Sequence, residues 1–333
     1  MTWFETLVGF PETPDQIREA LILKGETLTS RANGRTFRCG RLETPSLGEL
    51  RERVGAGPHP AGRLAVREVL ADVGALHAAP SNAGSLFQVA SQFNLLEMVD
   101  PEVTPERGIG IYEDDHTQGP ACAMAAGAGT IYRAYFAPVN GRIGQSSGNQ
   151  IDCLADIGEA LGNTGQRLWE MKNGYALATR EGLVEISERL AASSEEELDT
   201  LRQRLRIGIQ WDTQVTTEDA AHTVTQAYCS ALPVAPPYSF HPRDLWASFA
   251  QLVLDATYEA TLCAAILNAS HTGSPQVFLT LVGGGMFGND MAWITKGLYR
   301  ALKRYEDWGL EVAIVRRDES NPAVAELVER FPG

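Results

Sequence analysis

The densest grouping of chemically capable side chains lies in one stretch: Asn94 and Glu97, then Glu113, Asp114, Asp115, His116, Thr117 and Gln118. Carboxylates in that number suit two tasks. They can stabilise the oxocarbenium-like state at a glycosidic carbon or activate the water that attacks it. They can also hold a hard cation such as Mg²⁺ or Ca²⁺ through clustered oxygens. Amides beside them can hold sugar hydroxyls. If residues 110–115 are extended, Glu113 and Asp115 share one face and Asp114 the other, which ranks the first two above the third. The bland reading of a Glu-Asp-Asp run is a solvated turn, and a lone loop histidine is most often solvated too.

A second constellation carries no charge. The apolar run Val277-Phe-Leu-Thr-Leu-Val282 leads directly into Gly283-Gly284-Gly285-Met286-Phe287-Gly288-Asn289 and then into helical spacing. Consecutive glycines after a buried strand let the backbone take positive φ and approach a ligand closely. A helix starting there adds unpaired N–H groups and a positive dipole end. Together they make an anion site. No Lys-Ser/Thr follows the glycines, so this is not a Walker A loop. Gly283, Gly285 and Gly288 satisfy the GxGxxG dinucleotide pattern formally. A dinucleotide-binding domain, however, opens with that motif and adds several strands after it, and here one strand remains.

The elements that must carry these groups are readable in outline. With 333 residues, 44% hydrophobic and 21% charged, the chain can bury a substantial core. Residues 1–80 read as an α+β appendage: a helix over 16–23 capped by Thr13 with Pro14 at its first position, a hairpin of 26–31 and 35–42 around Asn33-Gly34, a Pro/Gly-rich connection at 55–62, and helical spacing over 63–76. Residues 81–333 read as one domain. Strands are expected at 86–90, 174–179, 206–213, 224–232, 277–282 and 311–315, with helices at 121–136, 152–161, 195–205, 245–268 and 290–307. Strands alternating with helices imply a largely parallel sheet covered on both faces.

Other function classes are disfavoured. A net charge of −14 argues against nucleic acid, which needs clustered Lys and Arg. The N-terminus lacks the pattern of a secretory signal, and no run approaches the ~20 apolar residues of a membrane span. Five scattered cysteines with no CxxC pair point to a reducing compartment, so a cytoplasmic location is expected. Gly144-Gln145-Ser146-Ser147-Gly148 fits G-x-S-x-G, but turn residues rather than a strand precede it. Trp169, Trp211, Trp246, Tyr228 and Cys229 read as core.

Two segments carry a family resemblance. Strand, Gly-Gly-Gly-Met-Phe-Gly-Asn, helix and Leu310-Glu-Val-Ala-Ile-Val315 resemble the C-terminal part of macrodomains, whose glycine loop grips the diphosphate of ADP-ribose. Phe87-Gln88-Val89-Ala90-Ser91-Gln92-Phe93 resembles the Val-Asp-Phe-Ala-Asn-Lys-Tyr of poly(ADP-ribose) glycohydrolase-type members. The stretch 88–97 with Tyr112-Glu-Asp-Asp-His-Thr-Gln-Gly-Pro120 is similar to a divergent bacterial branch that includes hydrolases removing ADP-ribose from arginine of ubiquitin. The resemblance spans roughly residues 80–320 of this sequence.

It implies a three-layer α/β/α macrodomain-like mixed sheet, enlarged by the N-terminal appendage and a middle insertion. It implies an ADP-ribosylhydrolase acting on an N-glycosidic bond, arginine being the favoured linkage, with water as second substrate and no cofactor or metal. Partners are then ADP-ribose or an ADP-ribosylated protein, ubiquitin among them. Gly283, Gly284, Gly285, Met286, Phe287, Gly288 and Asn289 take the diphosphate and adjacent ribose, and Gln88, Ser91 and Gln92 line the site. The tandem glutamates of the glycohydrolases are absent, so catalysis is assigned among the acids present. Glu113 or Asp115 activates water, Glu97 positions substrate, and Asn94 and Gln118 bind ribose. The rivals are a non-catalytic ADP-ribose reader, for which the acidic loop has no chemical use, a hydrolase of free nucleotide derivatives, and an NAD-dependent oxidoreductase.

Overall fold

A strand with no exposed side chain must be covered on both faces, and Leu86-Phe87-Gln88-Val89 is such a strand. The computed structural model describes residues 1–58 and 60–332; His59, inside the 55–62 connection, lies outside them. Helices α1 (Trp3–Val8) and α2 (Pro14–Ala20) lead into a small antiparallel sheet of β1 (Leu21–Lys24), β2 (Thr27–Ser30) and β3 (Thr36–Arg38). β4 (Arg41–Glu43), α3 (Leu47–Ala56), β5 (Ala65–Leu70) and α4 (Val73–Ala78) follow, then the central β6 (Leu86–Ala90). After α5 (Gln118–Ala125) and α6 (Gly127–Ile131) comes the hairpin β7 (Pro138–Val139) and β8 (Arg142–Ile143). Helix α7 (Ala155–Leu161) separates it from a second hairpin, β9 (Trp169–Lys172) and β10 (Tyr175–Ala178). Next are α8 (Arg180–Ala192), α9 (Glu195–Arg202), β11 (Gly208–Gln214) and β12 (Thr223–Cys229). The chain closes with α10 (Arg243–Thr272), β13 (Gln276–Leu279), α11 (Met291–Arg304), β14 (Glu311–Arg316) and α12 (Pro322–Glu329).

The large sheet has seven strands in the order β4-β11-β12-β6-β13-β14-β5. β12, β6, β13, β14 and β5 run parallel, while β11 is antiparallel to both β4 and β12. Alternation along β6 separates the layers. Gln88 reaches Thr261 on α10, while Phe87 stacks on His77 of α4 at 3.7 Å on the other side. Helices α3, α8, α9 and α11 gather round α10, and α4, α5 and α6 cover the opposite face. The expected three-layer α/β/α architecture with a mixed sheet is the one the chain adopts. The insertion between α6 and β11 comprises the two hairpins and α7 to α9. α10 is long and apolar enough to cross a membrane, and 89% of its most apolar window is buried inside the protein. Trp169, Trp211 and Trp246 are core residues, as expected.

Three expected elements are corrected. The first helix stops at Ala20, because Leu21-Ile22-Leu23 pairs with β2 across Ser30, Thr29 and Leu28. The helical spacing over 63–76 is instead the edge strand β5, paired with β14 through six residues, and α4, which Asp72 caps. Short edge strands with charges facing water copy an amphipathic helix in sequence. The single helix over 121–136 breaks at Ala126 (φ −116°, ψ 57°) into α5, α6 and a π-helical turn, Tyr132–Phe136. Close approach dictates the break: a Cβ at Gly127 would lie 2.7 Å from the Trp3 ring, and one at Gly129 2.6 Å from Thr213 Oγ1.

The first 80 residues supply both edges of the large sheet, β4 and β5. They also form a second core: Phe4, Leu7, Val8, Ile17 and Phe37 pack with Leu96, Met98, Ile109 and Tyr112. That core lies directly beneath the segments that bear the candidate acids.

Candidate functional site

β6 and β13 pair only through Leu86 and Phe87 before they part, and two glutamines hold them open. Gln118 Oε1 accepts the Ala90 N–H at 2.9 Å and its amide donates to Gln88 O at 2.9 Å, so this side chain stands where a neighbouring strand would. Gln88 Oε1 accepts the Thr280 N–H at 3.2 Å while its amide donates to Thr261 at 2.8 Å. The Ala90 N–H, the Gln88 carbonyl and the Thr280 N–H, which the parting strands would leave unpaired, are thereby satisfied. A cleft of about 470 Å³ opens beyond the carboxyl ends of these strands, where open α/β sheets place their ligands.

One wall is the glycine loop. Tyr258 of α10 fixes its root, donating to Thr280 O and accepting the Val282 N–H. Gly283 has φ 77° and Gly288 φ 66°. A Cβ on the first would fall 2.5 Å from Ala231 Cβ, and on the second 2.3 Å from Ala235 Cβ, so the loop presses against the chain following β12. Phe287 O accepts the Val234 and Ala235 N–H groups, and the buried Asn289 amide donates to Leu232 O. The N–H groups of Gly283, Gly285, Met286 and Phe287 have no protein acceptor among the described residues. Three in succession make an anion-binding concavity. One expectation is corrected: α11 does not lend the site an open N-terminus, since Asp290 caps it by accepting the Ala292 N–H at 2.8 Å. Main-chain loop donors, not the helix end, are what this wall offers the cleft. A side chain at Gly285 would meet nothing within 4 Å, whereas one at Gly284 would meet Leu281 O and Ile294.

The opposite wall holds the acids. Glu97 lines the cleft at 4% exposure. Its N–H donates to Tyr112 Oη at 2.9 Å, and its Oε1 has no hydrogen-bond partner among the described residues. Gly119 makes room for it, because a Cβ there would lie 2.4 Å from Glu97 Oε2. Burial pushes this carboxyl well above the ordinary range; the Ser91 hydroxyl and the Arg133 charge pull it back, and Asp115 adds to the rise. Arg133 is itself fully buried, its guanidinium 3.5 Å over the Tyr228 ring, with bonds to Leu95 O and Thr130. Asp114, Asp115, His116, Thr117 and Gln118 complete this wall. Asp115 accepts the Thr117 N–H at 2.8 Å.

The cleft therefore gathers Ser91, Gln92, Glu97, Asp115, Gln118, Gly283, Gly285, Met286 and Phe287 from the residues expected on sequence. Gln88, Asn94, Gly288 and Asn289 stand behind it as braces; Asn94 turns the 92–97 loop by accepting the Leu96 N–H and bonding Gln150. Glu113 is elsewhere. Residues 110–114 form a 3-10 turn rather than extended chain, so the alternation argument fails, and Glu113 accepts the Trp3 N–H. Asp114, ranked lower on that argument, does line the cleft. Gly284 opens on an adjoining cleft of about 620 Å³ over the ends of β13, β14 and β5. This second cleft shares His116, Thr117, Gln118, Thr280, Leu281 and Gly285 with the first and adds Arg316 and Arg317.

No protein-family model matches the chain, and no curated protein matches it. Among solved structures it is similar to poly(ADP-ribose) glycohydrolase from Thermomonospora curvata, at 14% identity over 95% of this chain and 96% of that one, with a TM-score of 0.46. It is also similar to the Deinococcus radiodurans poly(ADP-ribose) glycohydrolase in complex with ADP-ribose, at 13% identity over 87% and 94%, with a TM-score of 0.44.

Sequence reasoning passed over two aromatic residues of the cleft. Tyr175 and Tyr238 meet each other at 5.2 Å between ring centroids and each meets Phe287 at 5.5 Å, as tilted and edge-on rings. They come from β10 and from the 235–241 loop, and no local pattern ties them to residue 287. Cys122 and Cys229 are not nucleophiles: burial pushes both thiols up, Cys229 to about 12.

Proposed function

We propose that the protein is an ADP-ribosylhydrolase that frees ADP-ribose from a modified protein, arginine being the favoured linkage. One observation carries the reading: a charge-free row of loop N–H donors and a buried, unpaired carboxylic acid face each other across one cleft. The loop at 283–287 takes the diphosphate through its main chain. The second cleft, with Arg316 and Arg317, takes the adenosine end, and the aromatic cluster of Tyr175, Tyr238 and Phe287 flanks the distal ribose.

Glu97, held protonated, delivers its proton to the atom that leaves the anomeric carbon. Asp115 takes a proton from the water that attacks that carbon. The glycosidic bond breaks, the carbon–oxygen bond to water forms, and one proton enters as another leaves. This assignment narrows the expected base from Glu113 or Asp115 to Asp115, Glu113 being tied to Trp3, and turns Glu97 from a positioning group into the acid.

The test is calorimetric titration with ADP-ribose, NAD and ATP, followed by assay of ADP-ribose release from an arginine-ADP-ribosylated protein. Preferential ADP-ribose binding with release is expected. Binding without release means a reader, equal turnover of small free derivatives means a metabolic hydrolase, and no ADP-ribose binding removes the proposal. Gly285→Leu, which puts a side chain into open cleft, is expected to weaken ADP-ribose binding by about tenfold or more, the scale of one or two lost charge-assisted hydrogen bonds.

A further inference from the structure

The segment that brings Asp114 and Asp115 to the cleft runs as two 3-10 turns, Pro105–Arg107 and Gly110–Asp114. Neither belongs to a sheet, so its position must be fixed by side chains. Glu106 accepts the Ser147 N–H and Arg317 donates to His116 O, and the contacts between these two points come largely from the first twelve residues. The Glu12 carboxylate accepts the Ile109 N–H at 2.8 Å and the Gly110 N–H at 2.6 Å, the donors at the start of the second turn. The Tyr135 hydroxyl donates to the same carboxylate. Nothing bulkier than glycine fits around it: a Cβ at Gly108 would lie 2.7 Å from Glu12, and one at Gly110 2.8 Å. Trp3 adds two bonds, from its indole N–H to Ile109 O at 2.9 Å and from its backbone N–H to Glu113 at 2.7 Å.

The same turn reaches the other acid. Tyr112, at its centre, accepts the Glu97 N–H and is buried in the core that α1 and α2 help to form. A continuous series of contacts thus runs from Glu12 through the turn to Asp115 on one branch, and through Tyr112 to Glu97 on the other. Glu12 itself does not line the cleft.

We propose that Glu12 is a positioning residue for the hydrolytic site. It pins the turn that orients both acids, and the N-terminal segment is thereby a working part of the site. This rests on the hydrolase reading above, and it assigns Glu113 to the clamp. A carboxylate suits the task, because its two oxygens can accept two converging N–H donors and one O–H donor together, and charge-assisted bonds are the strong ones.

The experiment measures two things on Glu12→Ala and Glu12→Gln in the full chain: amide hydrogen exchange over residues 105–118, and the kinetics of ADP-ribose release. In Glu12→Ala, exchange at 108–117 is expected to quicken by about tenfold or more while the 283–289 loop is unchanged, the mark of local opening. The kcat is expected to fall about ten- to a hundredfold, the scale of small misplacements of reacting groups. KM and the ADP-ribose Kd are expected to stay within about threefold, because the phosphate loop is untouched. Glu12→Gln, which keeps one accepting oxygen, is expected to fall between wild type and Ala, and it carries the test should the Ala variant not fold. Wild-type exchange in both variants overturns the clamp. Faster exchange with wild-type kcat overturns the positioning role. Absence of ADP-ribose release by the wild-type protein overturns the hydrolase reading and the positioning role with it, and the exchange data then still decide whether the clamp exists.

Discussion

Two glutamates are buried among the described residues, and their surroundings could hardly differ more. Glu259, on α10, is fully buried and receives Arg51 at 2.6 Å, Arg300 at 2.5 Å and Arg304 at 2.9 Å. Arg51 and Arg300 also bind Asp199, so the cluster ties α3, α9, α10 and α11 together. Glu97, at the cleft, makes no ion pair among the described residues; the buried cation Arg133 is held by Tyr228, Thr130 and Leu95, keeps its Nη1 unpartnered, and acts on Glu97 only from beyond ion-pair distance. A buried carboxylate survives as an anion only if it is paired. The paired one holds helices together. The unpaired one, whose pKa burial raises, is in the reading proposed above the acid with a proton to give.

Substitution at the two sites separates these roles. Glu97→Gln is expected to lower turnover by about 10²–10⁴-fold with ADP-ribose affinity within about threefold; wild-type turnover in a release assay would end the assignment. The same variant also tests the pH dependence. Because the Glu97 pKa is raised above its usual 4.5, the folded state binds a proton that the unfolded state gives up, and stability falls as pH rises above that value. Glutamine lacks this slope, so the variant is expected to gain stability relative to wild type from pH 5 to 8 in denaturant titrations. Identical slopes would mean that Glu97 ionises normally.

Glu259→Ala is expected to do the opposite, destabilising the fold by about 3–5 kcal/mol because three arginines lose their partner. Turnover per folded molecule should then be unchanged. A large loss of kcat with full stability would erase the contrast between the two residues. His77 offers the smallest effect. Fully buried between Val73 O and Gln226, it is held neutral with its pKa lowered from 6.5 to about 4. Protons then favour the unfolded chain, so stability is complete above about pH 6.5 and is lost as pH falls toward 4, by up to about 3 kcal/mol. A His77→Gln variant showing the same decline would shift the cause to other groups.

How much of this was legible in sequence depended on whether the signal was local. β6, β13 and β14 announce themselves as apolar runs, and the glycines between β13 and α11 as a phosphate loop. β5 stayed hidden because the adjacent charges Arg67 and Glu68 break its apolar run, and β4, three residues long, merges into the end of the expected 35–42 strand. Of the acids, Glu97, Asp114 and Asp115 line the cleft and Glu113 does not. Glu97 owes its burial to Tyr112 and Gly119, and Glu113 owes its diversion to Trp3; neither relation leaves a spacing to read. Gln88, Asn94 and Gln118 drew notice as polar residues beside a ligand, and two of the three are braces of the fork and turn behind it.

The main-chain construction of the phosphate wall also bears on how such a protein can diversify. Backbone N–H groups are identical whatever residue bears them, and at Gly283 and Gly288 no larger residue fits. Drift therefore has almost nothing to act on there. Met286 and Val99, at the mouth of the same cleft, are 61% and 56% exposed and hold nothing in place. Heritable changes in what the protein accepts should accumulate at such rim positions, with the glycine loop inherited unaltered.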